Sequence, residues 1–137
     1  MRKPPEHAVS VDLEVPFHDV DALHIVWHGH YLKYFELART FLMRSRGLDV
    51  AGVIALGFRQ LVIESHIRHS FPLHYADKFR VHAWLGELNH KMTIEFLIWN
   101  LTHDRRCARG STVLVTTDAT GTLLLETPDA IRRCLIP

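Results

Sequence analysis

The sequence predicts an α+β domain in which one long apolar helix packs against an antiparallel sheet of about five strands. Three observations carry this. Residues 31–46 space their apolar side chains helically, one segment before them and several after Gly57 alternate with period two, and the 137 residues contain no repeat, linker or low-complexity tract.

Taken in order, residues 9–17 set Val9, Val11, Leu13, Val15 and Phe17 against Ser10, Asp12, Glu14 and Pro16. This is a half-buried strand that the proline confines to an edge or a strand end. In the helix, Tyr31, Tyr34, Phe35, Ala38, Phe41 and Leu42 share one face, and Lys33, Glu36, Thr40 and Arg44 share the other. Leu32, Leu37 and Met43 widen the apolar arc, so the helix is expected to be wrapped on most sides, and Gly47 stops it. Residues 58–71 put Leu61, Ile63, Ile67 and Phe71 on one strand face; residues 78–88 do so with Phe79, Val81, Ala83 and Leu85. After a tight turn at Asn89-His90, the next inward face is Met92, Ile94, Phe96 and Ile98. A turn at 103–105 leads into residues 107–117, where Gly110 is read as a bulge. Ala119-Thr120-Gly121 turns into a short 123–125 segment, and Pro128 opens a brief terminal helix. A lone helix covers only part of one sheet face, so dimerisation through sheet edges or faces is expected.

The composition is that of a soluble globular protein, 47% hydrophobic and 23% charged. A net charge of +1 gives no global field for nucleic acid or an anionic membrane. The basic N-terminus MRKPPEH lacks the apolar run of a signal peptide, and no apolar stretch approaches the ~20 residues that cross a bilayer. Cys107 and Cys134 fall in no paired motif and point to a reducing compartment, the cytoplasm. The eleven histidines are scattered, unlike an expression tag.

The chemistry concentrates in residues 17–40, FHDVDALHIVWHGHYLKYFELART. Two carboxylates and three imidazoles precede the helix, whose free N–H groups can hold a developing oxyanion. Asp21 reads either as a turn former or as a carboxylate desolvated by Ala22, Leu23, Ile25, Val26 and Trp27, which could attack a thioester carbonyl or deprotonate water. Asp19 has the same two readings and fits better as a strand-end or capping residue. His28 either caps the turn or packs on Trp27, or it orients Asp21 or the water or shuttles a proton to a leaving thiolate, and its backbone N–H and that of Gly29 could face the oxyanion. Gly29 would let a substrate approach the backbone. The spacing of His24, His28 and His30 matches no zinc signature, so no metal is expected. Arg39 and Arg46 read as snorkelling or ion-paired side chains, with Glu36 as a partner, or as anchors for a phosphate. Glu64, Ser65 and His66 read as a solvated strand face or a cleft wall.

The run Asp21-Ala22-Leu23-His24-Ile25-Val26-Trp27-His28-Gly29-His30-Tyr31, followed by Tyr34-Phe35-Glu36-Leu37-Ala38-Arg39-Thr40, resembles the hot-dog-fold thioesterases of the 4-hydroxybenzoyl-CoA thioesterase and YbgC-like type. The likeness is strongest over residues 17–47 and weaker through residues 72–77 and the later strands. It implies one domain over residues 1–137, a long central helix wrapped by a five- to six-stranded antiparallel sheet. It also implies a dimer, often paired into tetramers, with active sites at subunit interfaces. The family's catalytic aspartate falls on Asp21 and its helix-entrance residue on His28, and no cofactor is implied. Trp27 and Tyr31 suit an aromatic or medium aliphatic acyl group. The family often has glycine where His24 stands. Some members grip coenzyme A with arginines at the turn that here reads Asn89-His90-Lys91, leaving Lys91 as its main cation beside His90. An acyl-carrier protein is therefore an alternative to acyl-CoA as substrate partner. A dehydratase or isomerase, for which Glu36 is the available helical carboxylate, and a non-catalytic acyl-binding protein are the other readings.

Overall fold

A computed structural model describes residues 3–136. Met1, Arg2 and Pro137, the ends of the expected 1–137 domain, lie outside the described residues. The elements run β1 (Val9–Glu14), α1 (Tyr31–Ser45), α2 (Val50–Ala55), β2 (Phe58–His69), β3 (Lys78–Leu85), β4 (Met92–Asn100), β5 (Arg105–Asp118) and α3 (Asp129–Leu135). All strand pairs are antiparallel, in the order β1-β3-β4-β5-β2. Among the described residues no helix is long and apolar enough to cross a membrane.

The β3–β5 meander follows the alternation in its sequence. Phe79, Val81 and Ala83 of β3, with Met92, Ile94, Phe96 and Ile98 of β4, are buried against α1. Helix α1 contributes Tyr31, Tyr34, Phe35, Ala38 and Leu42 to that core. Phe35 stacks on Phe96 with ring centroids 4.4 Å apart, and burying such a ring is worth roughly 2–3 kcal/mol. The same contact explains Gly110. It lies in register with Phe96 and Ile67, without a bulge, and a Cβ there would come within 2.6 Å of the Phe35 ring and closer still to the His66 carbonyl. The bulge expected at Gly110 is therefore corrected to a close-approach site; the β5 irregularity falls at Cys107, where the register with β4 shifts.

Helix α1 ends in a Schellman motif. The Leu48 N–H reaches the Met43 carbonyl, the Gly47 N–H reaches that of Arg44, and Gly47 takes φ +72°.

Four further expectations are corrected. Strand β1 stops at Glu14, because Pro16 starts a 3-10 turn (Phe17–Asp19) and Phe17 swings out to 76% exposure against Tyr75. Helix α1 is covered on one side within a chain, leaving Leu32, Leu37 and Phe41 exposed. Strand β2 carries a bulge between Val62 and Glu64, which moves the inward set from Phe58 before it to Ile67 and His69 after it; Leu61 and Ile63 are exposed. Residues 86–91 form an irregular loop in place of a tight turn at Asn89-His90.

Candidate functional site

The loop between β1 and α1 is fixed from below by Asp19. Its carboxylate is 1% exposed and accepts hydrogen bonds from the Tyr34 hydroxyl at 2.5 Å and Lys33 Nζ at 2.9 Å, with His30 Nε2 3.7 Å away. Its backbone carbonyl accepts the Trp27 N–H at 3.0 Å. Burial acts to raise the Asp19 pKa, but the Tyr34 and Lys33 hydrogen bonds outweigh it and hold the carboxyl below its ordinary value. Burial and the Asp19 charge push the Tyr34 phenol well above the usual tyrosine range. Asp19 and His30 are thus the scaffold under the loop.

Above that scaffold the chain turns at Asp21, whose Oδ1 accepts the Leu23 N–H at 2.8 Å and whose backbone pairs with Ile25. His24 closes the turn with φ +65°, a left-handed conformation that glycine adopts most readily. The Val26 N–H then reaches the Leu73 carbonyl at 2.8 Å, and His28–His30 form a 3-10 turn leading into α1. The first N–H groups of that turn, those of His28 and Gly29, have no partner within it.

Asp21 and His28 line one open cavity of about 310 Å³ with Ile25, Tyr31, His69 and Phe71 among its walls. The Tyr31 hydroxyl accepts the Leu73 N–H at 3.2 Å, and burial pushes its pKa up to about 12. The His69 ring meets Tyr31 edge-on at 4.6 Å. Burial lowers the His69 pKa and the nearby His28 lowers it further, so this imidazole is neutral at pH 7. A carboxylate and an imidazole at one apolar-walled cavity can activate water or attack an acyl carbon.

Residues 15–135 match the family model described as the thioesterase-like superfamily. The chain belongs to that superfamily. Its fold is the hot-dog fold: the 1,4-dihydroxy-2-naphthoyl-CoA thioesterase Slr0204 of Synechocystis superposes with a TM-score of 0.81 over 93% of this chain and 95% of that one, at 18% identity. In sequence, the "Putative esterase" of Aquifex aeolicus is 33% identical over 72% of this chain and 76% of its own length. The "Putative acyl-CoA thioesterase YneP" of Bacillus subtilis is 30% identical over 64% of each chain, so the match spans under two thirds of that relative. The thioester-hydrolase class implied by the resemblance therefore holds, while none of these relatives singles out the YbgC-like branch.

Within this thioesterase fold, the sequence-derived site residues separate into three groups. Asp21, His28 and Tyr31 meet at the cavity. Trp27 and Gly29 pack on each other, the indole filling the space over the glycine, with His28 and His30 at 5.3 and 5.4 Å from its ring. Gly29 thus gives its Cα face to the Trp27 ring. His90 and Lys91 lie beyond the far end of β3, about 26 Å along the sheet from the end that meets the loop. Within one chain they are not part of the cavity, and His90 Nδ1 lies 3.3 Å from the Leu125 carbonyl. Glu36 is held by Arg39 at 2.5 Å, which leaves the dehydratase reading without a free carboxylate on α1. The sequence reading missed His69, although it shares the parity of Ile67 and Phe71 on a predicted strand.

Proposed function

We propose that this thioesterase-superfamily chain hydrolyses acyl-CoA thioesters with Asp21 as nucleophile or general base. The observation that carries this is the convergence of Asp21 and His28 on one apolar-walled cavity at the head of α1. In the general-base form, Asp21 takes a proton from water as its oxygen attacks the thioester carbonyl. The oxyanion forms against the His28 and Gly29 N–H groups, the C–S bond breaks, and the proton passes to the thiolate. In the nucleophilic form, Asp21 attacks the carbonyl and expels the thiolate, and water then cleaves the resulting mixed anhydride, its protons passing to the thiolate and the released acid. His28 orients the carboxylate, and Tyr31 and His69 wall the acyl group. The similarity to YneP, named as an acyl-CoA thioesterase, supports CoA over a carrier protein.

The active form is a homodimer, itself able to pair into a tetramer, and the domain spans residues 1–137. Support comes from β2, a twelve-residue edge strand that exposes Leu61, Val62 and Ile63. Two β2 edges related by a two-fold axis pair antiparallel. Such pairing brings the partner's β3–β4 loop to the end of the sheet that holds Asp21, so His90 and Lys91 would serve the neighbouring active site. Free Cys107 and Cys134 favour the cytoplasm.

Asp21→Asn keeps the acceptor for the Leu23 N–H and is expected to lower kcat on a good acyl-CoA at least about a thousandfold, read as free thiol release. Near-normal turnover by the folded variant would refute the assignment.

A further inference from the structure

Outside the candidate site, three potential ligand atoms converge from separate segments of the chain. His74 and Asp77 lie in the segment entering β3, and His103 lies in the β4–β5 turn. We infer that these residues form a binding site for a divalent first-row transition ion, zinc(II) by the chemistry of the set, which braces the loop carrying Asp21. Their ligand atoms all lie within 4.8 Å of one another. His103 Nε2 is 3.3 Å from Asp77 Oδ1, and His74 Nδ1 is 3.4 Å from Asp77 Oδ2. Tetrahedral ligands at zinc-ligand distances are themselves roughly 3.4 Å apart.

The carboxylate is held as a metal ligand is held. Asp77 is buried, and its Oδ2 accepts the His74 N–H and Asn100 Nδ2, both at 2.9 Å. Those two bonds occupy both lone pairs of Oδ2 and leave Oδ1 turned toward His103. Asn100, fully buried, also accepts the His103 N–H at 2.9 Å, so one side chain sets both the carboxylate and the turn that carries the second imidazole. Outer hydrogen bonds of this kind orient metal ligands.

A separate observation points to a missing partner. His74 Nδ1 is buried and makes no hydrogen bond, although it lies against a carboxylate. An ion pair of protonated His74 with Asp77 would direct an N–H at Oδ2, which already has two donors. A cation coordinated by Oδ1 and both imidazoles satisfies the orphan nitrogen. Phe71 packs against both rings, at 6.0 Å from His74 and 5.7 Å from His103, and carries Arg105 on its face 4.2 Å from the centroid. The 46% exposure of the His103 side chain lets it swing in to complete the set and leaves a coordination position for water. Two imidazoles and a carboxylate suit zinc, cobalt or nickel better than calcium or magnesium.

The site is linked to the loop through the backbone. His74 bridges to Ile25, and Leu73 accepts the Val26 N–H. An ion here would tie the β4–β5 turn to the segment that holds the Asp21 turn, without touching substrate.

The test uses the full chain without a histidine tag and reads binding rather than activity. Zinc(II) by equilibrium dialysis should saturate at one ion per chain, and cobalt(II) should give visible d–d bands of a low-symmetry site. His103→Ala, at a half-exposed position, should weaken binding at least tenfold and abolish the zinc-induced rise in Tm. Asp77→Asn should do the same if it folds. His66→Ala, on the exposed strand β2, should bind as the native chain does. Overturning results are an absence of saturable binding, or affinity unchanged in folded His103→Ala. Equal losses in His66→Ala and His103→Ala would overturn it too, since they would mean that surface histidines bind the ion.

Discussion

Asp19→Asn is expected to cost about 2–4 kcal/mol of stability at pH 7. The native carboxylate is buried and accepts two charge-assisted hydrogen bonds, from Tyr34 and Lys33. Bonds to a charged group contribute roughly 1.5–3 kcal/mol each. Asparagine keeps the volume and one acceptor oxygen, but its amide must face either the phenol or the ammonium. The Lys33 side chain is half exposed and recovers part of its loss in water, so the Tyr34 bond dominates. With Asp19 held below its ordinary pKa in the folded state, its contribution is fully present above the unfolded value near 3.9. It disappears as pH falls through the lower folded value. Urea denaturation of both proteins, followed by circular dichroism from pH 7 to pH 2.5, should show a gap that is constant above about pH 5 and shrinks below about pH 4. A gap under about 0.5 kcal/mol at pH 7, or one that does not shrink in acid, would refute the reasoning.

Two more substitutions test the backbone. Gly110→Ala is expected to lose about 3 kcal/mol or more, because the added methyl meets both the Phe35 ring and the His66 carbonyl; a urea midpoint near native would show that the helix can withdraw. Ala76→Gly is expected to gain about 0.5–1 kcal/mol, since Ala76 is exposed and held at φ +66°; an unchanged or lower thermal midpoint would contradict this.

What the sequence could reveal depended on how local each cause was. The β3 and β4 alternation was legible because the inward face of each keeps an unbroken period. The same method misassigned β2, where the bulge between Val62 and Glu64 changes parity without leaving a glycine or proline as a mark. At Gly110 the glycine was visible but its cause was not, since a bulge and a ring pressed onto the backbone leave the same residue. Asp21, His28 and Tyr31 were readable as a group because eleven consecutive residues carry them. His69 joins them only through sheet pairing, and the placement of His90 and Lys91 at the opposite end follows from strand direction, which spacing does not encode.

The strand order also dictates a sequence of events. Among the described residues, strand β1 pairs only with β3, with Val9 opposite Ala83, and β2 only with β5, with Phe58 opposite Asp118. During synthesis, β1 therefore leaves the ribosome unpaired, and β2 stays unpaired until almost the whole chain has followed. Only β3–β4 and β4–β5 are local hairpins, which makes the meander the surface onto which the earlier half must condense. Throughout that interval the Phe35 face of α1 and the apolar stretch around Ile63 are uncovered together. The exposed β2 edge is thus where a nascent chain is most open to pairing with the wrong neighbour.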